Sequence, residues 1–353
     1  MSVEPAAPPS GAPAGGRLRF DAPEDFEVEE VALYEPAGEG GHTFVLVEKR
    51  LRTTEEVARL LARAAGARPG DVGYAGRKDR FAVARQWLSV PALAPEAALA
   101  LEAPGVRVLD ARRHPHKLRT GQLAGNRFRL RLRSLPDASL AALPARAAAL
   151  EARGFANRFG AQRFGADGRN AERAAERLAG EGAWPRDRRD ARFLLSSLQA
   201  AVFDDVLARR PLPLDQVEAG DVAVVCASGG AFVVADVARE QPRAARFEIS
   251  PTGPIFGTRM TEALGAPGAR ERESLARFGV DLASFRPPRG VRARGARRAL
   301  RVRPEGLAAL LGPSNEVELR FVLPPGSYAT VLVETLLGDA GPSGDRESPG
   351  AVP

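Results

Sequence analysis

At 353 residues and 37.5 kDa, with 44% hydrophobic and 27% charged residues, the chain has the makeup of a globular protein of one large or two ordinary domains. That composition excludes a coiled coil or a mostly disordered chain, and one cysteine, Cys226, with three histidines excludes an intrachain disulfide and a Cys-type zinc site. The 51 basic against 44 acidic residues give a net charge of +7, about +10 without the two tails, which favours a polyanion such as nucleic acid as partner.

Residues 1–16 hold four Pro, four Ala, three Gly and no basic residue. They lack the charged start and apolar middle of a signal peptide, so a disordered leader on a cytoplasmic protein is expected. Phe26 to Tyr34 and Thr43 to Val47 alternate apolar and polar residues around Gly38-Glu39-Gly40-Gly41, which predicts two strands and a turn. Thr53 and Glu56 have capping-box spacing before the stripe Val57, Leu60, Leu61 and Ala64, and Gly66 stands where a helix would end. A loop over Gly70 to Arg80 leads into a strand at Ala84 to Val90. Arg127 to Arg133 puts Phe128, Leu130 and Leu132 on one strand face and four arginines on the other, which is solvated or meets phosphates.

A helix is predicted over 138–153, ending at Gly154. Asp190 can cap a long helix with the stripe Leu194, Leu198, Ala201, Val202 and Val206, stopped by Pro211 and Pro213. The longest apolar stretch, Val222 to Ala238, is broken by Ser228-Gly229-Gly230 and carries Asp236, so it predicts two short strands and not a membrane span. Val291 to Arg303 holds six Arg in thirteen residues, and Glu316 to Val322 returns to strand alternation. Residues 338–353 carry Asp339, Asp345 and Glu347 against Arg346 and predict a disordered acidic tail.

The most loaded stretch is Gly73-Tyr74-Ala75-Gly76-Arg77-Lys78-Asp79-Arg80. A lone carboxylate among three cations is favoured as an anion fit for nucleophilic or general-base work, and the same residues would also suit a solvated turn. Gly73 to Gly76 has the GxxG spacing of a KH loop, which requires a helix on each side. Only Lys49, Lys78 and Lys117 are lysines among the 51 basic residues, which marks places where an ammonium is needed. His114 and His116 with Asp110 fall short of a metal ligand set, and the phosphate-loop, dinucleotide, HExxH and GxSxG motifs are absent.

Taken in order, these segments resemble the TruD family of pseudouridine synthases from about Pro23 to Thr330. The resemblance rests on Pro23-Glu24-Asp25-Phe26 with its acidic strand, on Tyr34-Glu35-Pro36 and Glu48-Lys49-Arg50, and on Gly73 to Val83 continuing to Trp87. Further on, Lys117-Leu118-Arg119, Gly125-Asn126-Arg127-Phe128, Asn157 to Gly165, Pro251-Thr252-Gly253-Pro254 and Leu323 to Thr330 are similar to family segments.

The resemblance implies an α+β fold: a pseudouridine-synthase-type mixed, largely antiparallel sheet with helices, interrupted by an inserted α/β domain. Residues 17–153 and 305–337 would form the catalytic domain and 154–304 the insert. It further implies isomerisation of uridine 13 of transfer RNA, with no metal and no cofactor. Asp79 would be catalytic, Phe26, Asn126, Phe128 and Tyr328 would bind the substrate, and Lys78, Arg80, Lys117 and Arg163 would bind RNA. No membrane contact and no protein partner are implied. The family commonly carries an Arg before the Glu that follows its Ala-Thr, whereas this chain reads Val331-Leu332-Val333-Glu334-Thr335. A cation beside Asp79 would then come from Lys78 or Arg80. The alternative is a non-catalytic RNA-binding or RNA-chaperone protein on the same scaffold.

Overall fold

The computed structural model describes residues 20–283, 285, 290–291, 293–313 and 315–338. The leader, the tail beyond Gly338 and Arg292 of the arginine-rich run lie outside the described residues. In chain order the elements are β1 (Phe26–Ala32), β2 (His42–Lys49), α1 (Thr54–Ala64), β3 (Gly73–Tyr74), β4 (Val83–Pro91), α2 (Pro95–Leu99), β5 (Val106–His114), β6 (Leu123–Leu132) and α3 (Asp137–Arg153). There follow β7 (Phe155–Ala156), α4 (Asn170–Leu178), α5 (Arg188–Ala208), β8 (Val222–Val225), β9 (Ala231–Val233), α6 (Val237–Ala245), β10 (Ile249–Ile255), α7 (Gly265–Ala276) and β11 (Ala296–Ala299). The last are β12 (Arg301–Val302), β13 (Glu305–Leu311), β14 (Val317–Leu323) and α8 (Ala329–Leu337).

The chain divides into two compact units. One, the large-sheet unit, holds Pro304–Ala329 and the described residues of Gly15–Glu151 and Leu336–Pro353; the other, the intervening unit, holds Ala152–Arg303 and Thr330–Thr335. The α+β class read from the sequence holds.

In the large-sheet unit eight strands form one sheet in the order β13-β14-β6-β1-β4-β2-β5, with β3 on β4. Every pairing is antiparallel except β1 with β4. The capping box at the start of α1 forms as read: Thr53 Oγ1 accepts from Glu56 N–H at 3.1 Å and Glu56 accepts from Thr53 N–H at 2.6 Å. The helix stripe Val57, Ala58, Leu61 and Ala62 packs on Val45, Val47, Leu88 and Val90, the buried face of β2 and β4. This burial fixes α1 across the sheet, because a one-residue slip would turn the valines to solvent.

The two faces of β6 also form as read, but the arginine face is already neutralised. Arg127 pairs with Glu29 at 3.4 Å, Arg129 with Glu27 at 3.1 Å and Glu318 at 2.9 Å, and Arg133 with Asp25 at 2.8 Å and Glu316 at 2.7 Å. The carboxylates come from the β1 and β14 sides of β6, so this face is a cross-strand charge ladder.

In the intervening unit a four-stranded antiparallel sheet, β11-β10-β8-β9, and the pair β12-β7 support helices α4 to α7. Its core joins Leu194, Leu198 and Val202 of α5 to Ala174, Phe256 and Leu275. The long helix starts earlier than the sequence suggested. Asp187, in extended backbone, is the cap and accepts from Arg189 and Asp190 N–H, while Asp190 lies in the first turn, where its charge suits the positive helix end.

Candidate active site

The Asp79 loop bridges a gap in the sheet. Strand β1 runs beside β4 only as far as Arg85, and β3 takes the same edge at Leu88 and Ser89. Between them the buried Glu30 carboxylate faces the Trp87 backbone, whose N–H favours its charged form. Gly73 is required at the return, since a Cβ there would stand 2.2 Å from the Leu118 carbonyl oxygen. Because β3 precedes the loop and β4 follows it, Gly73 to Gly76 does not join two helices, and the KH reading is removed.

Buried polar side chains hold the loop from the sheet side. Lys49, 1% exposed at the end of β2, donates to the Asp79 carbonyl oxygen at 2.5 Å and to that of Arg52 at 2.7 Å. Thr54 Oγ1 accepts from Lys78 N–H at 3.0 Å and donates to Gln86 Oε1 at 2.8 Å, and Gln86 in turn donates to the Gly76 carbonyl at 3.3 Å. Lys78 Nζ reaches Glu30 at 2.9 Å in an ion pair whose side chains are 6% and 2% exposed. With every anchor satisfied, the loop is fixed rather than loosely draped. Asp79 itself is exposed, and one carboxylate oxygen accepts from Phe81 N–H at 2.9 Å, which orients the group at the loop surface.

Burial dominates the electrostatics beneath the loop. It pushes the Lys49 ammonium down to about 8, against the pull of the nearby Asp79 charge. Burial also raises the Glu30 carboxyl above its ordinary range, opposed by Lys78 and by the Trp87 N–H. Lys49 thus sets a buried cation under the Asp79 backbone, on its carbonyl oxygen, in addition to Lys78 and Arg80, which the sequence reading offered beside Asp79. Lys78 faces Glu30 inside the protein, so its ammonium stands away from a solvent-borne phosphate. Arg80 is exposed beside the loop.

Of the other expected substrate residues, Phe26, Asn126 and Phe128 fall on one face of the sheet, the face of Glu30. Asn126 on β6 lies opposite Glu30, and Phe128 lies opposite Val28. Asn126 Oδ1 is buried and has no hydrogen-bond partner among the described residues, which leaves an acceptor available to a donor such as an imide N–H. Phe128, 7% exposed, stacks on Phe321 at 5.2 Å and meets Phe26 edge-on at 6.0 Å, so it is first a packing residue. Tyr328 is half-buried in the turn between β14 and α8. Lys117 is half-buried with Nζ on the Gly70 carbonyl at 2.6 Å, on the strand-return side of the loop.

Arg163 lies in the intervening unit, near the Phe159 ring. Glu334, in the stretch that departs from the family pattern, pairs with Arg158 in that same unit. His114 is buried against Tyr34, its Nδ1 accepting from Ala37 N–H at 3.3 Å, and Asp110 pairs with Arg112 at 2.7 Å. Among the described residues no group of three or more His, Cys, Asp or Glu could hold a metal ion, and no helix is long and apolar enough to cross a membrane.

Comparison with solved structures identifies the class first. The crystal structure of a protein described as tRNA pseudouridine synthase D (TruD) from Methanosarcina mazei superposes with a TM-score of 0.66, covering 92% of this chain and 93% of that one at 23% identity. The fold is thus that of a TruD-type α+β protein. The family model for tRNA pseudouridine synthase D (TruD) matches residues 9–182 and 187–336, and the chain belongs to that family. Among its relatives, proteins named tRNA pseudouridine synthase D from Geobacter metallireducens and Anaeromyxobacter sp. are 40% and 45% identical. The first alignment covers 96% of this chain and 98% of the relative, the second 92% and 93%. A third, from Thermus thermophilus, is 43% identical over 92% of this chain and 89% of its own.

Proposed function

We propose that this protein isomerises uridine 13 of transfer RNA to pseudouridine, with Asp79 as the catalytic residue, acting in the cytoplasm. The observation that carries the reading is an exposed carboxylate on a loop whose backbone is held by buried Lys49, Thr54 and Gln86. Family membership and the names of the relatives support transfer RNA as substrate.

The reaction breaks the bond from C1′ to N1, turns the uracil and joins C1′ to C5; the proton on C5 leaves and N1 ends protonated. A carboxylate serves this as a nucleophile or as a base, and both roles need it oriented before the substrate arrives. The target nucleotide has to leave its stack to reach such a group. The buried Oδ1 of Asn126 would accept from the uracil imide, and Phe26, next to Phe128, would border the base.

The test is pseudouridine formation on an unmodified tRNA by the wild type and Asp79→Asn, with affinity measured in parallel. The expected result is turnover by the wild type and none by the variant at unchanged affinity. Binding without turnover by the wild type across a tRNA panel would overturn the enzyme reading and leave a non-catalytic RNA-binding protein.

A further inference from the structure

The Asp79 loop carries one side chain that neither the core nor the proposed chemistry uses. Phe81 is 69% exposed, the most exposed large apolar side chain among the described residues. Phe26, Phe44 and Phe128 of the same unit pack against neighbouring rings, whereas Phe81 turns to solvent. A single apolar side chain on a surface is ordinary, so its place has to decide its role.

Phe81 stands two residues after Asp79, so the two Cα atoms are within about 7 Å of one another. Its own N–H is the donor to the Asp79 carboxylate at 2.9 Å, so ring and carboxylate leave the same turn. Lys49 ties a second segment to that turn, because its ammonium holds the carbonyls of both Asp79 and Arg52. On that segment Leu51 is exposed with φ +54°, a left-handed conformation uncommon for a residue with a side chain. The backbone on either side is pinned, by the Arg50 N–H on the Gly105 carbonyl at 2.9 Å and by Arg52 Nε on the Pro104 carbonyl at 3.1 Å.

The apolar surface at the carboxylate is thus shared by two segments and interleaved with cations, since Arg50 and Arg52 flank Leu51 and Arg80 precedes Phe81. The centre of a protein-binding patch is depleted of charge. An aromatic face among arginines instead suits a nucleobase whose phosphates run past it. Extruding a uridine toward Asp79 uncovers a face of each neighbouring base, and a ring laid on such a face recovers the lost stacking.

We propose that the Phe81 ring stacks on the base of a nucleotide next to the target uridine, in the place the uridine vacates, and so holds the RNA open over Asp79. The proposal rests on the reading of the protein as an RNA uridine isomerase and adds to it a substrate contact made by a ring and not by charge. Stacking reads no base edge, so the identity of that base matters little and its presence matters much.

The experiment measures binding and single-turnover pseudouridine formation for wild type, Phe81→Ala, Phe81→Leu and Phe81→Trp. The RNAs are an unmodified tRNA and two derivatives, abasic at the nucleotide before or after the target. Phe81→Ala keeps the backbone N–H on Asp79 and loses an exposed ring, so its melting temperature is expected to match that of the wild type. Its affinity is expected to fall about tenfold, at an unchanged slope of log affinity against log salt because the ring neutralises no phosphate. Phe81→Trp is expected to recover the affinity. One of the two abasic RNAs is expected to weaken wild-type binding by the same factor and to cost Phe81→Ala nothing further.

Wild-type affinity and rate in Phe81→Ala overturn the stacking contact while leaving the enzyme reading intact. Full additivity of the alanine variant with both abasic RNAs overturns it too, since the ring then touches neither neighbour. If Phe81→Ala loses stability along with affinity, Phe81→Leu decides: full recovery by leucine makes Phe81 a packing residue, and recovery by tryptophan alone upholds the stack. A wild type that binds tRNA without turnover defeats the enzyme reading and the proposal together.

Discussion

The charge under the candidate catalytic loop comes from a residue that local sequence reading did not choose. Lys78 and Arg80 flank Asp79 in the chain, yet Lys49, thirty positions away, donates to the Asp79 carbonyl. Adjacency along a strand or loop does not place two side chains together, whereas pairing across the sheet does. The available signal was compositional: Lys49 is one of three lysines in an arginine-rich chain and stands in a family-like Glu-Lys-Arg segment. Burial pushes this ammonium from 10.5 down to about 8, so it is charged below that pH and neutral above it. If the positive charge serves turnover, the single-turnover rate falls by about tenfold per pH unit beyond about 8. The linked stability term has the opposite sign. Between about 8 and 10.5 the unfolded chain binds the extra proton, so this group's contribution to stability rises with pH while activity falls. Lys49→Met is expected to lower the rate at least tenfold and to abolish the alkaline limb. A limb near pH 8 that persists in Lys49→Met would assign it to another group.

At the scale of elements, helix α1 was legible and its connection to the site was not. The capping box is a local pattern and forms as read; of the expected stripe Val57 and Leu61 face the core, while Ala58 and Ala62 take the places read for Leu60 and Ala64. What spacing along one helix cannot reveal is that Thr54, its first residue, links the Lys78 N–H to Gln86 across the sheet. Strand β6 carries the same lesson, since its two faces are visible in seven residues while the carboxylates that neutralise its arginines lie as far as 189 positions away. Substituting Thr54→Val keeps the shape but strips the buried Lys78 N–H and the Gln86 oxygen of their partner. The expected cost is about 1–3 kcal/mol in urea unfolding. The looser Asp79 loop should also lose about tenfold or more in turnover, with Thr54→Ser restoring most of both. Turnover unaffected by a destabilising Thr54→Val would show that the helix stabilises the unit without positioning the loop.

At the scale of the whole molecule, composition pointed to a charge balance that favours a polyanion such as nucleic acid, but neither composition nor periodicity marked where the chain leaves one compact unit at about residue 152 and returns to it at 304. That division depends on which distant segments pair, as in β7 with β12 and β6 with β14, and only the family resemblance carried any trace of it. The intervening unit adds a pH dependence of its own. Burial raises the Asp204 carboxyl from an ordinary 3.8 to about 7, against the Phe159 N–H and the charges of Arg298 and Arg158. Between those two pH values the folded chain keeps a proton that the unfolded chain has released, so this group's contribution to stability falls as pH rises from about 4 to about 7 and is then flat. Asp204→Asn retains an oxygen for the Phe159 N–H and has no charge to desolvate. Its stability relative to wild type is therefore expected to be near zero or slightly negative at pH 4 and to grow to at most about 4 kcal/mol in its favour by pH 8. Urea unfolding of both proteins across that range reads the difference directly. A variant that is less stable by the same amount at every pH would mean that Asp204 stays charged in the fold and that Arg298 and Arg158 outweigh its burial.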